Sequence, residues 1–432
     1  MREMKDSGIE WIGEIPKNWE IHRLKSVLCE RKETNKPVVT DFILSLTNDR
    51  GVIPYTDKGN HGNKSKEDLT SYKLAYPNDI ILNSMNVVIG SVNLSNYFGC
   101  VSPVYYMLYP RNAKDDVRFF NYIFQTKEMQ NNLKGLGNGI LEIRMRIQMS
   151  KLNNVEIPIP HFETQKKISD FLDDKCEKID RMIAKEQEEI EKLKEYKQSI
   201  ITKAVTKGIN GIVECKKSKF EYLGKTPSHW KEIKLRYLGK CTNGISKSAE
   251  FFGTGYPFVS YGDVYNNIQL PTNVTGKVKV SEQERDNYSV KYGDVFFTRT
   301  SETIEEVGFT STCLKTIENA VFAGFVIRFR PNNLKKLNPR FSKYYFRSNI
   351  HRMYFVKEMN LVTRASLSQE LLKGLPVLLP PLEEQEKIAD YLDKKCNELN
   401  KLIGNSNIKI EKLKEYKKSL IFECVTGKKK VE

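Results

Sequence analysis

One short stretch of the chain has the residue types of a nucleotide-binding site. Residues 223–226 (LGKT) contain the Gly-Lys-Thr end of a phosphate-binding loop, whose backbone N–H groups and lysine hold phosphates. That loop also needs a glycine five residues before Gly224, and Lys219 occupies the position. The matching stretch in the first half, 12–15 (IGEI), has neither the lysine nor the threonine. We therefore interpret both stretches as turns that lead into a folded domain.

A second stretch, 338–341 (NPRF), is similar to the NPP[FY] tetrad of adenine methyltransferases. Arg340 replaces the second proline, and no glycine-rich cofactor loop accompanies it. The 5 histidines and 8 cysteines lack the spacing of metal ligands, and no carboxylate cluster marks a nuclease. The sequence thus predicts no catalytic residue and no metal site. Cys176 and Cys396 lie on apolar helix stripes, which predicts reduced thiols in a core.

The charge of the chain points to a polyanionic partner. The formal net charge is +16, and most of the excess lies between residues 208 and 382. A basic excess without a basic amphipathic stripe favours DNA or RNA over a membrane surface. No apolar run approaches the ~18 residues of a membrane span, and the first residues lack a signal-peptide apolar region. These features predict a cytoplasmic protein.

The sequence contains a long internal repeat. The octamer IEKLKEYK occupies residues 190–197 and again 410–417, inside a longer match at an offset of 220 that includes Gln165/Gln385 and Asp173/Asp393. Upstream, 10–19 (EWIGEIPKNW) resembles 221–230 (EYLGKTPSHW). A period of about half the chain indicates two copies of one domain, not a solenoid. Because the ends match and the middles diverge, we expect one fold with two different surfaces.

Both repeated segments are expected to form long helices with a 3–4 apolar seam, the spacing of a coiled coil. Each helix could pack on its own globular domain. Connectivity favours the alternative, in which the helices form an antiparallel pair and relate the two halves by an approximate two-fold axis. The residues predicted to pack between the helices are Leu172, Ile179, Ile183, Ile190, Leu193, Leu392, Leu399, Ile403, Ile410 and Leu413.

The segments before each helix mix β-like runs with amphipathic helical runs, which predicts α+β domains. Predicted strands include 79–92 (DIILNSMNVVIGSV), 256–264 (YPFVSYGDV) and 323–329 (AGFVIRF). Predicted helices are 117–133 and 339–356. The whole chain then divides into globular domain 1–160, repeat helix 161–207, globular domain 208–380, and repeat helix with a basic tail 381–432.

The complete pattern resembles the specificity (S) subunits of type I restriction–modification enzymes. The resemblance rests on 157–173 (IPIPHFETQKKISDFLD) and 375–393 (LPVLLPPLEEQEKIADYLD), each preceded by a domain that opens with GxxPxxW. It implies two target recognition domains that each read one half of a split double-stranded DNA site. The helices would set the spacing and dock two methyltransferase (M) subunits, which bind S-adenosylmethionine and methylate adenine. Restriction (R) subunits, joined through the M complex, would use ATP and Mg²⁺. This chain itself would carry no cofactor and no catalysis.

Family contacts with DNA fall on loops without a fixed motif, so the resemblance carries over by region only. Three other readings remain open: an orphan DNA-binding or coiled-coil scaffold, the recognition subunit of a fused methyltransferase–nuclease, and an independent nuclease. The predicted DNA-contacting residues are Ser45, Thr47, Asn48, Arg50, Asn83, Ser84, Asn86, Arg144 and Arg146 in the first domain, and Ser260, Tyr261, Arg299 and Arg364 in the second.

Overall fold

Two long helices form at the repeated segments. They span Phe162–Lys207 and Leu382–Val425. The first turn contains one glutamate in the first helix and two in the second, where a carboxylate is stabilised by the positive end of the helix dipole. Each is followed by a left-handed glycine, Gly208 at φ 77° or Gly427 at φ 71°. Because glycine has no Cβ, it adopts this conformation without strain and ends the helix.

The computed structural model describes residues 2–48, 50–59, 68–137, 146–211, 213–301, 307–351, 354–355 and 365–431. The chain packs as two units. Unit 1 consists of Met1–Glu186 with Asn407–Glu432, and unit 2 of Gln187–Ser406. Each unit therefore contains the start of one long helix and the end of the other. The four-segment division predicted from the sequence stays a prediction.

Unit 1 is built on a four-stranded antiparallel sheet with the order β4–β11–β8–β9. Strands β1–β2, β3–β12, β5–β6 and β7–β10 pair separately. The described strands are β1 (Met4–Asp6), β2 (Glu14–Pro16), β3 (Glu20–Arg23), β4 (Leu28–Arg31), β5 (Leu44–Thr47), β6 (Gly51–Pro54), β7 (Lys73–Ala75), β8 (Ile80–Asn83), β9 (Val92–Leu94), β10 (Gly99–Val101), β11 (Tyr105–Pro110) and β12 (Glu156–Ile159). Its described short α-helices are Leu24–Val27, Val117–Gln125, Lys127–Lys134 and Met149–Leu152.

Unit 2 repeats this sheet with the order β16–β23–β19–β21, again antiparallel. A second, three-stranded sheet has the order β18–β17–β22. The described strands are β13 (Cys215–Lys217), β14 (Lys225–Pro227), β15 (Lys231–Lys234), β16 (Gly239–Asn243), β17 (Phe252–Val259), β18 (Lys277–Val278), β19 (Val295–Thr298), β20 (Thr300–Ser301), β21 (Thr310–Thr312), β22 (Val321–Phe322), β23 (Val326–Pro331), β24 (Ala365–Ser366) and β25 (Pro376–Leu379). Its described short α-helices are Tyr261–Asn266, Glu282–Asn287, Pro339–Arg347 and Gln369–Gly374. The α+β prediction is confirmed.

Each four-stranded sheet separates two apolar cores. Successive side chains of a strand point to opposite faces. In unit 1, Ile80 and Leu82 join the core that contains the helices, while Ile81 joins the core under β5 and β6. In unit 2, Val295 and Phe297 take the helix side, and Phe296 takes the other. This alternation requires apolar residues on both faces, so these strands contain continuous apolar runs.

Within each unit the two long helices run antiparallel. In unit 1, Lys417 Nζ donates to Asp180 Oδ2 at 2.7 Å, and Lys409 forms an ion pair with Glu186. Residue numbers therefore rise along one helix as they fall along the other. In unit 2, Lys197 Nζ donates to Asn400 Oδ1 at 2.7 Å.

The predicted seam residues are buried or half-buried. Polar residues at seam positions form the cross-helix bonds just given, and such pairs favour one register over its neighbours. Cys176 and Cys396 are both buried, and burial raises the pKa of the Cys176 thiol to about 11. The buried members are Leu172, Ile179, Ile190, Leu392, Leu399 and Ile410, and the half-buried members are Ile183, Leu193, Ile403 and Leu413.

Some predicted elements differ from those observed. The predicted helix 117–133 is broken at Thr126, whose Oγ1 accepts from Met129 N at 3.3 Å and caps a new helix. The predicted strand 256–264 ends at Val259, because Ser260 starts a helix with a capping box. No helix within the described ranges is long and apolar enough to cross a membrane.

Candidate nucleic-acid interface

The predicted contact residues of the first domain gather on two adjoining loops of unit 1. The turn between β5 and β6 is fixed by Thr47, whose Oγ1 accepts from Arg50 N and donates to Gly51 O, both at 3.1 Å. Asn48 Nδ2 donates to Ile89 O at 3.5 Å, which joins this turn to the connection between β8 and β9. Arg50 Nη1 donates to Asp57 O at 3.0 Å.

The β8–β9 connection is held by short-range hydrogen bonds. Asn83 Oδ1 accepts from Met85 N at 3.0 Å, and Asn86 N donates to Asn83 O. Ser84 Oγ donates to Val104 O at 2.7 Å. The Ser84 carbonyl accepts from Ile147 N at 2.9 Å, so the chain that carries Arg146 lies against this connection.

Exposure separates the predicted residues of unit 1 into two groups. Asn48, Arg50 and Arg146 are exposed, and Thr47 and Asn86 are half-buried. Ser45, Asn83 and Ser84 are buried. Buried polar groups that bond the backbone position a loop, and only the exposed and half-buried groups are placed to meet a large ligand. Arg144 lies outside the described residues.

Lys32 and Arg146 lie near Lys73 at this end of unit 1, and Glu30 forms an ion pair with each of the two lysines at 3.9 Å. Lys73 Nζ donates to Tyr105 O at 2.8 Å, beside Asn83 in the register of β8 and β11. Burial lowers the pKa of Lys73, the carboxylate of Glu30 opposes that change, and the cations Arg146 and Lys32 lower the pKa further. Closely spaced cations of this kind attract phosphate.

The predicted residues of the second domain also gather, around β19 and β20 of unit 2. Tyr261 Oη donates to Thr300 O at 3.0 Å, which ties its helix to the residue after Arg299. Ser260 is held by its capping box with Asp263. Arg299 is half-buried, and its guanidinium has no hydrogen-bond or ion-pair partner in the part of the chain that the structure describes. Arg364 lies outside that part.

Ser84 and Arg299 occupy equivalent places in the two units. Each directly follows a central strand, β8 or β19. The Arg299 carbonyl accepts from Leu367 N at 2.7 Å, as the Ser84 carbonyl accepts from Ile147 N. Arg299 N donates to Phe325 O at 2.9 Å, where unit 1 has the bond from Ser84 Oγ to Val104 O. One backbone bond is therefore shared, while the bond to the facing bend comes from a side chain in unit 1 and from the backbone in unit 2.

The repeated Gln and Asp fasten each domain to its long helix, a role that sequence reasoning missed. Gln165 Oε1 accepts from Asp116 N at 3.0 Å, and its Nε2 donates to Pro160 O. Gln385 does the same with Asn338 N at 2.8 Å and Pro380 O. Their identity at the 220-residue offset was the available signal.

The repeated aspartates bind the helix of each domain that carries the aromatic residues. Asp173 accepts from Arg118 Nη1 and Tyr122 Oη, both at 2.6 Å. Asp393 accepts from Tyr344 Oη at 2.6 Å, from Arg340, and from a further cation, Lys343 Nζ, at 2.6 Å. Burial and these carboxylates raise the pKa of both tyrosines, so they stay protonated donors.

The two chemistry-like stretches have structural roles. Residues 338–341 start a helix: the Asn338 side chain accepts from Arg340 N and Phe341 N, and Arg340 bonds Asp393. Gly224 is a left-handed turn residue before β14. Among the described residues, no group of three or more His, Cys, Asp or Glu is placed to hold a metal ion.

Comparison with known proteins agrees with this arrangement. The relative type I restriction enzyme MjaVIII specificity subunit of Methanocaldococcus jannaschii is 25% identical over 438 residues, covering 97% of this chain and 94% of the relative. A chain from a structural study of complex assembly and conformational transition of the type I R-M system has a TM-score of 0.70 at 15% identity, covering 95% of this chain and 98% of its own. The HsdS subunit from Thermoanaerobacter tengcongensis has a TM-score of 0.51 at 16% identity, covering 96% of this chain and 98% of its own. These two structures share the fold.

The sequence profile described as Type I restriction modification DNA specificity domain matches this chain twice, at residues 16–192 and 227–412. The two matches cover both copies of the sheet, both copies of the Gln–Asp fastening and most of each long helix. The chain belongs to the family of type I restriction–modification DNA specificity proteins.

Proposed function

We propose that this chain is the DNA-reading subunit of a type I restriction–modification complex, in which each unit reads one half of a bipartite double-stranded target. One observation carries the proposal. The two units share a sheet order and the backbone bond to the residue that follows the central strand, yet the residue there is Ser84 in unit 1 and Arg299 in unit 2. Two different readers on one fold fit a target with two unlike halves.

The exposed and half-buried polar side chains near these loops are the proposed DNA contacts. Arginine forms paired hydrogen bonds with guanine and asparagine with adenine in the major groove, while either can bind phosphate. Buried Asn83 and Ser84 would position the loops, and Ser45, which is buried within β5, would not meet the DNA. Ser260 would position its loop through its capping box. The proposed contacts are Thr47, Asn48, Arg50, Asn86 and Arg146 in unit 1 and Tyr261 and Arg299 in unit 2, with Arg144 and Arg364 proposed from the sequence alone.

The outer faces of the long helices are the proposed docking sites for two methyltransferase subunits. Tyr196 and Tyr416 occupy the same place in the repeated octamer and are 58% and 55% exposed. Aromatic residues exposed in this way are common centres of protein interfaces. Because the same tyrosine is presented on both helices, the octamer offers one docking motif twice. The helices would also set the spacing of the half-sites, and restriction subunits would join through the methyltransferases.

In this proposal the cofactors belong to the partners. S-adenosylmethionine would be bound by the methyltransferase subunits, and ATP with Mg²⁺ by the restriction subunits. This chain would supply sequence recognition and assembly.

Methylome sequencing of a host with and without this chain tests the proposal. We expect a bipartite motif with methylated adenine that appears only when the chain is present. Co-purification with a methyltransferase separates this function from an orphan scaffold, and a partner that fuses methyltransferase and nuclease would indicate the fused system. DNA cutting by this chain alone with Mg²⁺, or no chain-dependent motif, would overturn the proposal.

A further inference from the structure

Phe325 is an exposed aromatic side chain on a rigid bend. It lies between β22 and β23, and 65% of its surface is exposed. The backbone around it is bonded on every side: Ala323 N donates to Val259 O, Val326 N donates to Ala323 O, and Phe325 O accepts from Arg299 N. The ring is therefore presented by a fixed support.

Close packing adds to that rigidity. A Cβ on Gly324 would lie 2.3 Å from Ser246 Oγ and 3.0 Å from Ile245 O. The neighbouring chain therefore leaves little room for a side chain at residue 324. A bend fixed in this way loses little conformational freedom when its exposed side chain meets a ligand.

The equivalent bend of unit 1 presents a different side chain. There the carbonyl of Val104 accepts from Ser84 Oγ, and Val104 is half-buried. Of the two equivalent bends, only the one in unit 2 presents a large exposed ring. The residue that carries this ring is bonded to Arg299 through the backbone.

We propose that Phe325 contacts DNA directly by stacking its ring on a base of the half-site that unit 2 reads. The proposal rests on the DNA-reading function proposed above and adds to it the mode of contact. A base has an apolar π-face that an aromatic ring can cover, and a partly unstacked step exposes that face. Arg299, whose backbone N–H donates to the Phe325 carbonyl, would supply positive charge for the adjacent phosphate or base edge. A protein partner would also accept an exposed ring, but the adjoining cation and the predicted contact residues around it favour DNA.

The test is a double-mutant cycle between Phe325 and the bases of the target. The full-length chain and Phe325→Ala are titrated with fluorescein-labelled duplexes that carry the motif found by methylome sequencing. Each base pair of either half-site is then replaced in turn. We expect the wild-type target to bind Phe325→Ala about tenfold more weakly. We expect coupling with Phe325 at one or two adjacent positions of the second half-site and none in the first half-site.

Two further measurements identify the contact as stacking. The dependence of affinity on salt should be unchanged in Phe325→Ala, because a neutral ring displaces no counterions, whereas Arg299→Ala should reduce that dependence. Phe325→Trp should keep the affinity for the target duplex that Phe325→Ala loses. Tyr237→Ala is the matched control, since Tyr237 is a 69% exposed aromatic of the same unit, and this variant should bind as the wild type does.

The outcomes are distinguishable. If the wild-type chain prefers the motif and Phe325→Ala binds equally well, or couples to no base, the stacking proposal fails and the DNA-reading function stands. If Phe325→Ala instead lowers only the affinity for the methyltransferase, the ring is a protein contact and the proposal fails. If the wild-type chain shows no preference for any methylated motif, both proposals fail.

Discussion

The two units carry different side chains at a position where their backbones make the same bond. In each unit a carbonyl directly after a central strand accepts the same kind of backbone bond, from Ile147 or Leu367. Unit 1 places a buried serine there and unit 2 a half-buried arginine, with Val104 and Phe325 on the facing bends. Because the shared bond joins backbone atoms, the residue type after the central strand can change while that bond is kept. In this fold, therefore, backbone bonds hold the loops in place, and the side chains on those loops are free to differ between the units.

The fastenings between domain and helix show the reverse pattern. Gln165, Asp173, Gln385 and Asp393 are the same residue types making the same bonds. Their partners come from the divergent domains, so each new domain must supply a suitable arginine and tyrosine. One difference remains, since Lys343 of unit 2 corresponds to Asn121 of unit 1.

Exchange of one whole recognition domain should have the largest effect on the difference between the two units. Replacing residues 20–160 by the equivalent domain of a relative should change one half of the methylated motif and leave the other half and the gap intact. The donor should carry the arginine and tyrosine that bind Asp173, since these fasten the domain to a retained helix. Methylome sequencing measures the result. A change in both halves would show that the units do not read independently.

Substitutions in the seam should affect both units equally. Ile190 in unit 2 and Ile410 in unit 1 are 6% and 5% exposed at the same place in the octamer. Ile190→Asp or Ile410→Asp would bury a charge without a partner, which costs several kcal/mol, on the order of 3–5. Urea unfolding should show this loss in the unit concerned. Ser199→Asp, on an exposed face of the first long helix, is the control and should stay within about 0.5 kcal/mol. Normal unfolding of either seam variant would contradict the packing.

The two repeated aspartates should contribute unequally to the free energy of unfolding, which makes their removal a test of how the units differ. Asp173→Ala leaves Tyr122 without its acceptor and removes one of the three carboxylates that bind Arg118, at a cost of about 1–2 kcal/mol. Asp393→Ala should lower the free energy of unfolding by roughly 1–2 kcal/mol more than Asp173→Ala does. It also removes the carboxylate that pairs with Lys343, whose side chain is only 9% exposed. Urea unfolding of both variants measures the difference, and equal costs would show that Lys343 does not depend on Asp393.

The same aspartate should give unit 2 a component of acid sensitivity. Burial acts to raise the pKa of Asp393, but hydrogen bonds from Lys343, Tyr344 and Arg340 outweigh it, and the pKa is lowered overall. The unfolded chain therefore binds this proton first, near the ordinary aspartate pKa of about 3.9. The stabilisation should be complete above about pH 4–5 and be lost as the pH falls through the lowered value. The difference in unfolding free energy between wild type and Asp393→Asn should shrink over that range. A constant difference would contradict it.

The glycines that end the long helices should show the smallest effects. Gly208→Ala and Gly427→Ala both force a side chain into the left-handed region, at about 1 kcal/mol. A Cβ on Gly427 would also lie 2.5 Å from Pro16 Cδ, whereas a Cβ on Gly208 would meet Glu384 Oε1 at 3.1 Å. We expect Gly427→Ala to cost about 1 kcal/mol more. Thermal unfolding measures both, and a larger effect at Gly208 would contradict this ranking.

Repetition and periodicity made the long helices predictable from the sequence. Contacts between residues far apart in the sequence could not be predicted in this way. The seam from Leu172 onward follows from local spacing. The importance of Asp173 was visible as an identity, but its partners lie about 50 residues away in a divergent region. Phe325 was included in a predicted strand because it continues an apolar run. Its exposure follows from the tight bend at Gly324, a tertiary contact with no local signature.

The division of each long helix between two units has a consequence for biosynthesis. Unit 1 starts before unit 2 in the chain, but its core includes Leu420, Ile421, Cys424 and Val425, which are synthesised after the whole of unit 2. Unit 2 needs only residues 187–406. The usual order, in which the N-terminal domain of a nascent chain folds first, is therefore reversed here. At ordinary translation speeds of ~5–20 residues per second, unit 1 waits roughly 10–50 s for its last helix, with apolar surface uncovered. Nascent unit 1 is thus the half of this protein that should most need a chaperone.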